Sequence, residues 1–581
     1  MVSMKRLAAL GGAAVLAVGC ESGDINLQPT TIDNSTGGGG GAAPENPCAR
    51  YEEAGQTYQG RLEADGHCYY DSTFVSAARP IRVSAITFPS FGGFHVFEDG
   101  LYVGEDVNAV AAAAGRRIPQ EGEGTRLTIE PGNTLVFSAP DSYVRIARGS
   151  QIFAEGTADA PIVFTADEDA LLGIATEIDR GLWGGIQING NGLTNKCDDG
   201  SPTGARGGVD PKVTGPEDPN YPGGDFAPTA NNVHNCHVTA EGRPATYGGN
   251  NNAESSGVLK YVVIKHAGYE VVDGDELNAL TLNAVGSGTT ISHVQVYTTQ
   301  DDGFEMFGGA VNLDHIVAVN VGDDSIDYSE GYTGNIQYAV VVQTSGSNRC
   351  IEGDNTGTGR SDGGTPPTLL RISNLTCVTS HVTMNAGTNP SSKGDAEGLL
   401  FREGAWFELY NSIVTSNDLA MASHECFELE DTEGPETVDA AQAGISVAKS
   451  NVIACSEPLK LAADAANAGF DLALWLAGGG SAEVPANDNT NNVVVDANLP
   501  AMLLDGGVGT RAYRTLELLT DSTGAQIFDQ SGTTSPSGTG QLFDVSTVSS
   551  FFETPTFLGG ASVSDDWLEG WTVGLTEPLV P

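Results

Sequence analysis

A five-residue pattern recurs through the middle of the chain and constrains its fold more than any other feature. Asp301-Asp302-Gly303-Phe304-Glu305 returns 22 residues later as Asp323-Asp324-Ser325-Ile326-Asp327. Further copies are Asn348-Arg349-Cys350-Ile351-Glu352 and His424-Glu425-Cys426-Phe427-Glu428. A repeat of this length, with short strands and polar turns, indicates a solenoid of stacked coils. Equal positions on successive coils then lie one strand spacing apart, about 4.8 Å.

A second pattern, apolar-x-x-apolar-x-apolar, recurs with the first and predicts which side chains fill the core. Its copies begin at Leu259, Ile291, Leu313, Ile336, Ile372, Leu409 and Val447. The shortest steps between copies are 22 and 23 residues, and the longer steps carry insertions. We therefore predict an all-β chain, a parallel β-helix over residues 120–460 in which these apolar positions point inward.

The flanking segments predict the remaining domain organisation. An uncovered terminal coil would expose an apolar edge, so a solenoid needs caps at its ends. Residues 48–119 are predicted to form a small N-terminal cap, and residues 461–581 a C-terminal helix and cap. Residues 456–479 are expected to form this helix, capped at its start and ended by glycine, and the aromatic residues near the C-terminus are expected to be buried. Residues 21–47, with five glycines in a row, are predicted to be a flexible tether.

Residues 1–20 have the features of an export signal, with Lys5 and Arg6 before an apolar run. Its end, Ala17-Val18-Gly19-Cys20, resembles a bacterial lipobox. The resemblance implies cleavage before Cys20 and a diacylglycerol on its sulfur. It also implies an outer-membrane lipoprotein that faces either the cell surface or the periplasm. No later stretch is long and apolar enough to span a bilayer, so the lipid would be the only membrane attachment.

Eight cysteines remain once Cys20 is lipidated. Export favours disulfides over free thiols, and the absence of CxxC spacing argues against a structural zinc site. Pairing of sequence neighbours predicts the bridges Cys48–Cys68, Cys197–Cys236, Cys350–Cys377 and Cys426–Cys455.

Acidic residues outnumber basic ones by 75 to 27, and the net charge is −48. Such a surface excludes a nucleic-acid partner, because phosphate binding needs basic side chains. Two explanations of the acidity remain open: a well-solvated surface, and binding of divalent cations.

Stacking of the repeat would bring many acidic side chains together in what we call the acidic ladder: Asp301, Asp302, Glu305, Asp323, Asp324, Asp327, Glu330, Glu352 and Asp354. Three explanations are open. Aspartates cap backbone N–H groups in tight turns. Calcium takes six to eight oxygen ligands, which stacked carboxylates supply; the predicted metal ligands are Asp301, Asp302, Glu305, Asp323, Asp324 and Asp327. Paired carboxylates also serve in glycoside hydrolysis.

Arg349, Glu352 and Asp354 are candidate binding residues at the next coil. Arg349 is either a counter-charge to Asp324 and Glu352 or a clamp for a carboxylate of a substrate. Trp183, Phe401, Trp406 and Phe407 are either core residues or platforms for sugar rings.

The segments GTRLTIEPGNTLVF, IFAEGTADAPIVFTAD, LWGGIQINGNG, DDGFEMFGG and GDDSIDYSEGYTGNIQYAVV resemble a group of bacterial cell-surface β-helix proteins, many of them lipoproteins, with the pectin-lyase-like fold. This resemblance runs from about Leu127 to the tail around Trp571. It implies a right-handed parallel β-helix and leaves the activity open.

A shorter stretch resembles the polygalacturonases, which have the same fold. Asp302-Gly303-Phe304 matches their first catalytic coil, and Asp323-Asp324-Ser325-Ile326 matches the second with Ser in place of Cys. If the chain is an enzyme, the resemblance makes Asp302, Asp323 and Asp324 the catalytic residues. The family's His is replaced by Arg349, and its Arg-x-Lys is absent.

Three functions follow. The leading hypothesis is a non-catalytic, lipid-tethered surface β-helix that binds divalent cations, a glycan or an outer-membrane protein. The second is a glycoside hydrolase or polysaccharide lyase. The third is a structural or adhesion component of the cell surface.

Overall fold

The structure is a computed structural model that describes residues 46–196, 236–243, 245–272, 275–344, 346–355, 367–379, 397–417, 425–431, 437–506, 511–531 and 540–575. All of them belong to one compact unit, Glu45–Pro581. The predicted export signal, the lipidation residue Cys20 and nearly all of the tether lie outside these residues. No helix in the described part of the chain is long and apolar enough to cross a membrane.

Two large sheets, formed almost entirely of parallel pairs, run along the molecule. The first, which we call the ten-stranded sheet, contains Leu101–Val103, Val144–Ile146, Ile186–Asn189, Leu280–Asn283, Phe304–Phe307, Ile326–Ser329, Arg349–Gly353, Glu397–Phe401, Glu425–Glu430 and Glu457–Ala462. The second, the long sheet, contains Arg61–Leu62, Cys68–Tyr70, Ala85–Phe88, His95–Phe97, Arg126–Ile129, Thr134–Phe137, Gln151–Glu155, Ile162–Ala166, Gly257–Lys265, Thr290–Thr299, Asn312–Val321, Asn335–Val342, Leu369–Thr379, Trp406–Tyr410, Ile413–Ser416, Val447–Lys449, Val452–Cys455 and Val493–Asp496. Each coil contributes strands to both sheets, so the chain is the predicted all-β parallel β-helix.

Smaller elements surround these sheets. The short strands are Arg50–Glu53, Gln56–Gln59, Val238–Thr239, Thr246–Tyr247, Glu270–Val272, Asp275–Glu276, Leu504–Asp505, Arg514–Thr515, Leu519–Thr520, Gln526–Asp529, Gly540–Gln541 and Ala561–Ser562. The helices of the described residues are Ala109–Ala113, Asp167–Ala170, Thr437–Gln442, Leu472–Leu476 and Pro500–Leu503, with a 3-10 turn at Val545–Thr547.

The apolar frame points into the core, as predicted. Leu259, Ile291, Leu313, Ile336, Ile372 and Leu409 are paired one after another across the long sheet and are at most 1% exposed. The last copy is out of register by one residue. Leu409 pairs with Ala448, and Val447 is only half-buried beside Glu408. The error arose because Asn451, a polar residue, occupies the middle buried position of that coil.

The unusual x-x spacing in the frame has a backbone cause. Tyr261, His293, His315, Tyr338 and Asn374 lie at one position of successive coils and all have positive φ, between 48° and 60°. A single left-handed residue in the strand turns the chain and shifts the inward side by one residue. Two residues therefore separate the first apolar position of the frame from the second, and one residue separates the second from the third.

Parallel pairing extends beyond residues 120–460. Cys68–Tyr70 already pairs in parallel with His95–Phe97, and Val493–Asp496 pairs with Val452–Cys455. The expected helix over residues 456–479 is mostly wrong: Glu457–Ala462 is a strand of the ten-stranded sheet, because Leu459 and Leu461 alternate with polar residues. The helix is confined to Leu472–Leu476, capped by the Asp471 side chain. Its Trp475 is fully buried against Phe407 and Phe427.

Three of the predicted disulfides are present, Cys48–Cys68, Cys350–Cys377 and Cys426–Cys455. The last two each link the ten-stranded sheet to the long sheet through the interior. Cys236 is also disulfide-bonded, and its predicted partner Cys197 lies outside the described residues.

The C-terminal segment packs along the outer face of the long sheet. The Gln295 side chain exchanges two hydrogen bonds with the backbone of Val573, and Gln337 does the same with Glu553. Trp571 is buried in a cluster with outward-facing residues of that sheet. The aromatic residues are therefore buried as expected, and the surface that they cover is the side of the β-helix.

Candidate cation site on the ten-stranded sheet

The five-residue repeat stacks in the predicted register. Glu305 pairs with Asp327, and Asp327 pairs with Glu352 on the next strand. Their neighbours Phe304 and Ile326 are fully buried in the core, so the acidic side chains point to the outer face of the sheet. This column of carboxylates is the centre of the acidic ladder.

A second column lies at the turn before these strands and contains Asn278, Asp302 and Asp324. Its side chains accept hydrogen bonds from the backbone of the next turn. Oδ1 of Asn278 accepts a hydrogen bond from the backbone N–H of Asp302, with an N–O distance of 3.1 Å. Asp302 in turn accepts the N–H of Asp324 at 2.9 Å, and Asp324 that of Arg349 at 2.8 Å. One oxygen of each aspartate is thus used for the turn, as the capping explanation requires. Sequence reasoning missed Asn278, although Asn278-Ala279-Leu280 has the polar-small-apolar order of the repeat.

The two columns, together with Asp301 and Asp323, form three groups of carboxylates. Within each group the oxygen atoms lie within 4.8 Å of one another. The groups are Asp301, Asp302 and Asp323; Asp302, Glu305 and Asp327; and Asp324, Asp327 and Glu352. All six predicted metal ligands are therefore brought together.

These carboxylates are largely withdrawn from water. Asp302, Glu305 and Asp324 are 6%, 5% and 3% exposed. Burial, followed by repulsion from neighbouring carboxylates, raises the pKa of Asp302, Glu305, Asp324 and Asp327 well above the ordinary range. Simultaneous ionisation of these carboxyls is therefore unfavourable in the folded chain.

The next coils carry their own cations. Arg349 lies 3.5 Å from Glu352 and 3.5 Å from Glu397, and Arg402 lies 3.2 Å from Glu352. Arg402 also lies 3.8 Å from Asp354, whose pKa burial raises to about 7. The predicted binding residues Arg349, Glu352 and Asp354 thus form one ion-pair network, which supports the counter-charge interpretation of Arg349.

Lys460 fills a further carboxylate group at the C-terminal end of the sheet. Glu397, Glu425 and Glu428 form a group with the same 4.8 Å limit as those of the ladder. The Lys460 ammonium lies 3.7, 2.7 and 3.3 Å from these three carboxylates. This lysine was also missed from the sequence, because its coil position depends on the length of the insertion before it.

The group of Asp302, Glu305 and Asp327 differs from these. No lysine or arginine of the described residues makes an ion pair with any of the three, and only the Asn278 amide donates to Glu305. Oδ1 of Asp327 is buried and has no hydrogen-bond partner. This is the least compensated part of the ladder.

Glu330 belongs to the ladder by sequence position and is already paired. The Tyr247 hydroxyl donates to it at 2.5 Å, and the Lys196 ammonium lies 2.5 Å away. It therefore contributes to holding residues 236–247 against the sheet.

Three of the aromatic candidates for a sugar platform are core residues. Trp183, Phe401 and Phe407 are fully buried, so the core interpretation of these three is correct. Arg349 occupies the column where a polygalacturonase has its His. The carboxylate oxygens of each group lie within 4.8 Å of one another, and most of these side chains are buried.

Residues 118–211 and 226–471 match the family model of the pectate-lyase-like β-helix domain. Because the match covers more than half of the chain, the chain belongs to this family, whose members are polysaccharide-related or surface proteins. Neither a curated protein nor a solved structure matches it significantly.

Proposed function

We propose that this chain is a non-catalytic surface β-helix whose acidic ladder binds calcium. The observation that carries the proposal is the group of the buried Asp302 and Glu305 and the half-buried Asp327, with which no basic side chain of the described residues forms an ion pair. Equivalent groups further along the same sheet hold an arginine or Lys460. The fold thus tolerates stacked carboxylates where a positive charge accompanies them, and calcium supplies that charge at the remaining group.

Calcium suits these ligands better than other cations do. Hard oxygen donors bind calcium at about 2.3–2.6 Å with flexible geometry, whereas zinc prefers nitrogen and sulfur. Asp302 and Asp324 each use one oxygen for a turn, which fixes the other oxygen in place. Magnesium fits less well, because it demands near-octahedral geometry and keeps its waters.

The test of this function is the melting temperature in chelator and in millimolar calcium. A ligand at about 100 times its dissociation constant stabilises the folded state by about 2.7 kcal/mol, so calcium should raise the transition by about 2–3 °C for a chain of this size. Magnesium at the same ionic strength is the control. Identical melting curves in chelator and calcium would contradict the proposal.

We expect no cleavage of polygalacturonate or related glycans. Arg349 cannot transfer a proton, because its guanidinium stays protonated at any working pH. General acid catalysis also requires contact with the leaving oxygen, which the burial of Asp302 and Asp324 prevents. Reducing-end and unsaturated-product assays on acidic and neutral glycans check this. Product that the double variant Asp302→Asn/Asp324→Asn fails to form would establish the enzyme instead.

The location belongs to the same proposal. The lipobox-like Ala17-Val18-Gly19-Cys20 and the glycine-rich residues that follow support a lipid anchor and a tether on the outer membrane. The anchor would be the chain's only membrane contact, leaving the β-helix free to meet a glycan or a protein partner. Labelling with a fatty-acid analogue checks the anchor: incorporation that persists in a Cys20→Ser variant would rule it out.

A further inference from the structure

A β-hairpin that lies outside the repeat covers part of the ten-stranded sheet. Its strands, Val238–Thr239 and Thr246–Tyr247, pair with each other and form a separate two-stranded sheet. The hairpin packs in one apolar cluster with Phe307. Phe307 lies two residues after Glu305 on the same strand, so both side chains are on the outer face of the ten-stranded sheet. The hairpin therefore lies beside the acidic ladder.

The base of the hairpin is held by hydrogen bonds to a buried arginine and to an aspartate. The Arg148 guanidinium donates to the carbonyl oxygens of Cys236 and Gly248, each at 2.9 Å. Asp106 accepts a hydrogen bond from the backbone N–H of Thr246 at 3.0 Å. These bonds do not involve the ladder, so an effect of a cation bound there is expected at the tip of the hairpin and not at its base.

The tip of the hairpin brings Glu241 over the column of carboxylates. Nε2 of Gln187 donates to the backbone carbonyl of Glu241 at 3.2 Å. Gln187 pairs with Thr281, and Thr281 pairs with Glu305, so all three belong to one outward-facing column, which continues into Asp327. Burial, and after it the negative charge of Glu241, raises the pKa of Glu305. The Glu241 carboxylate is therefore a close neighbour of the uncompensated group.

The sheet alone supplies fewer oxygen ligands than calcium takes. Calcium binds six to eight oxygens. The carboxylates of Asp302, Glu305 and Asp327 have about six between them, and Asp302 uses one for the turn at Asp324. Oδ1 of Asp327 is buried and has no hydrogen-bond partner among the described residues, which independently indicates a missing ligand at this place. A further carboxylate from above the sheet would complete the set.

We propose that Glu241 is a further ligand of the calcium site and that the bound ion ties the tip of the hairpin to the ten-stranded sheet. This inference rests on the calcium binding proposed above. Without an ion Glu241 and Glu305 repel each other, and with one both carboxylates are attracted to the same charge. Calcium binding and closure of the tip over the ladder are then coupled, and each strengthens the other. Because Glu241 lies in an insertion between coils, the repeat could not predict its place.

The first test measures calcium affinity by calorimetry in the purified parent chain and in Glu241→Gln. The variant should bind calcium about tenfold more weakly, since even a group behind a metal ligand has an effect of this size. Glu52→Gln is the matched control. Glu52 is an exposed glutamate on the hairpin strand Arg50–Glu53 of the N-terminal cap, and its neutralisation should leave the affinity unchanged.

The second test follows the hairpin itself by hydrogen exchange and mass spectrometry. In the parent, saturating calcium should slow exchange at the tip, residues 241–243, by about tenfold, because linkage makes the effect of closure on binding equal to that of binding on closure. In Glu241→Gln at saturating calcium, the tip should exchange as it does in chelator. Peptides that contain Arg50–Glu53 should be unaffected by calcium in every protein.

The outcomes separate this inference from the proposed function. A parent chain that binds no calcium would overturn both. If the parent binds calcium and Glu241→Gln binds it equally well, only the role of Glu241 is overturned. Weaker binding by Glu241→Gln without a change in exchange at the tip would also overturn it, because Glu241 would then act only through its long-range charge. An equal loss of affinity in Glu52→Gln would do the same.

Discussion

Replacing Arg349 by Met is expected to lower the free energy of unfolding by about 3 kcal/mol at pH 8, the usual cost of removing one partner from a buried ion pair. The Arg349 side chain is only 19% exposed and lies between Glu352 and Glu397. Met retains most of the aliphatic contacts, so the loss isolates the charge. Guanidinium unfolding followed by tryptophan fluorescence measures the difference.

The loss should shrink as the pH is lowered. Burial and the neighbouring Glu425 raise the pKa of Glu397 to about 8, and that of Asp354 is raised to about 7 by burial. A carboxyl whose folded pKa lies above its unfolded value near 4 favours the folded state at low pH, and this contribution is lost as the pH rises towards 8. Arg349 offsets that loss. At pH 5.5 these carboxyls are largely protonated, and the variant should differ from the parent by about 1 kcal/mol.

Arg371→Met is the matched control. Arg371 also lies on a sheet, is 30% exposed and pairs with the single carboxylate of Glu408 at 3.1 Å. Such partly exposed pairs contribute about 0–1 kcal/mol, so this variant should lose much less stability than Arg349→Met at pH 8. Equal losses in the two variants would show that Arg349 has no special role in compensating the acidic network.

Much of the fold was predictable because a coil repeat fixes register. The five-residue repeat determined that Glu305, Asp327 and Glu352 lie on one column, and pairing of neighbouring cysteines along the chain predicted three bridges. Where insertions interrupt the step, register cannot be counted from the sequence. Lys460 and the apolar frame that begins at Val447 both follow such interruptions. The role of Lys460 was missed, and the frame at Val447 was misplaced by one residue.

Side-chain partners were harder to predict than side-chain positions. That His293 and His315 are neighbours follows from the repeat, but the hydrogen bond from the Ser292 hydroxyl to Asp314, at 2.6 Å, depends on the left-handed backbone at these two histidines. The path of the C-terminal segment could not be predicted from the sequence either. Its aromatic residues indicate that it is buried, but they do not indicate which surface it packs against. Gln295 and Gln337, which hold the segment, are ordinary polar residues in the frame.

Replacing Asp327 by Asn should change stability in opposite directions with and without calcium. In chelator at pH 8 the variant loses one of several mutually repelling carboxylates, and its unfolding free energy should rise by about 1–2 kcal/mol. Oδ1 of Asp327 has no hydrogen-bond partner, so the amide disrupts no existing bond at that atom. In calcium the variant lacks a ligand shared by two carboxylate groups, so the stabilisation of about 2.7 kcal/mol at about 100 times the parent's dissociation constant should largely disappear.

The parent's pH dependence follows from the same groups. The pKa values of Asp302, Glu305 and Asp327 are raised by burial and mutual repulsion, so in chelator the parent should become more stable as the pH falls from 8 towards 5. Calcium binds the ionised carboxylates and should flatten this dependence, because it stabilises the folded chain most at high pH. The Asp327→Asn variant should show a shallower slope in chelator and little response to calcium.

Glu428→Gln separates this effect from a general loss of acidity. Glu428 lies in the same column as Asp327, is 4% exposed and has the Lys460 ammonium 3.3 Å away. Its neutralisation removes the pairing with Lys460 and also the cost of burying this carboxylate, whose pKa burial raises, so the two effects offset each other and the variant should differ from the parent by at most about 1 kcal/mol, by the same amount in chelator and in calcium. Melting curves of the three proteins are therefore compared in the two buffers. Relative to the parent, Asp327→Asn should melt at a higher temperature in chelator and at a lower temperature in calcium. Glu428→Gln should differ from the parent by the same amount in both buffers. If both variants shift in parallel, the uncompensated carboxylates of the ladder do not bind calcium.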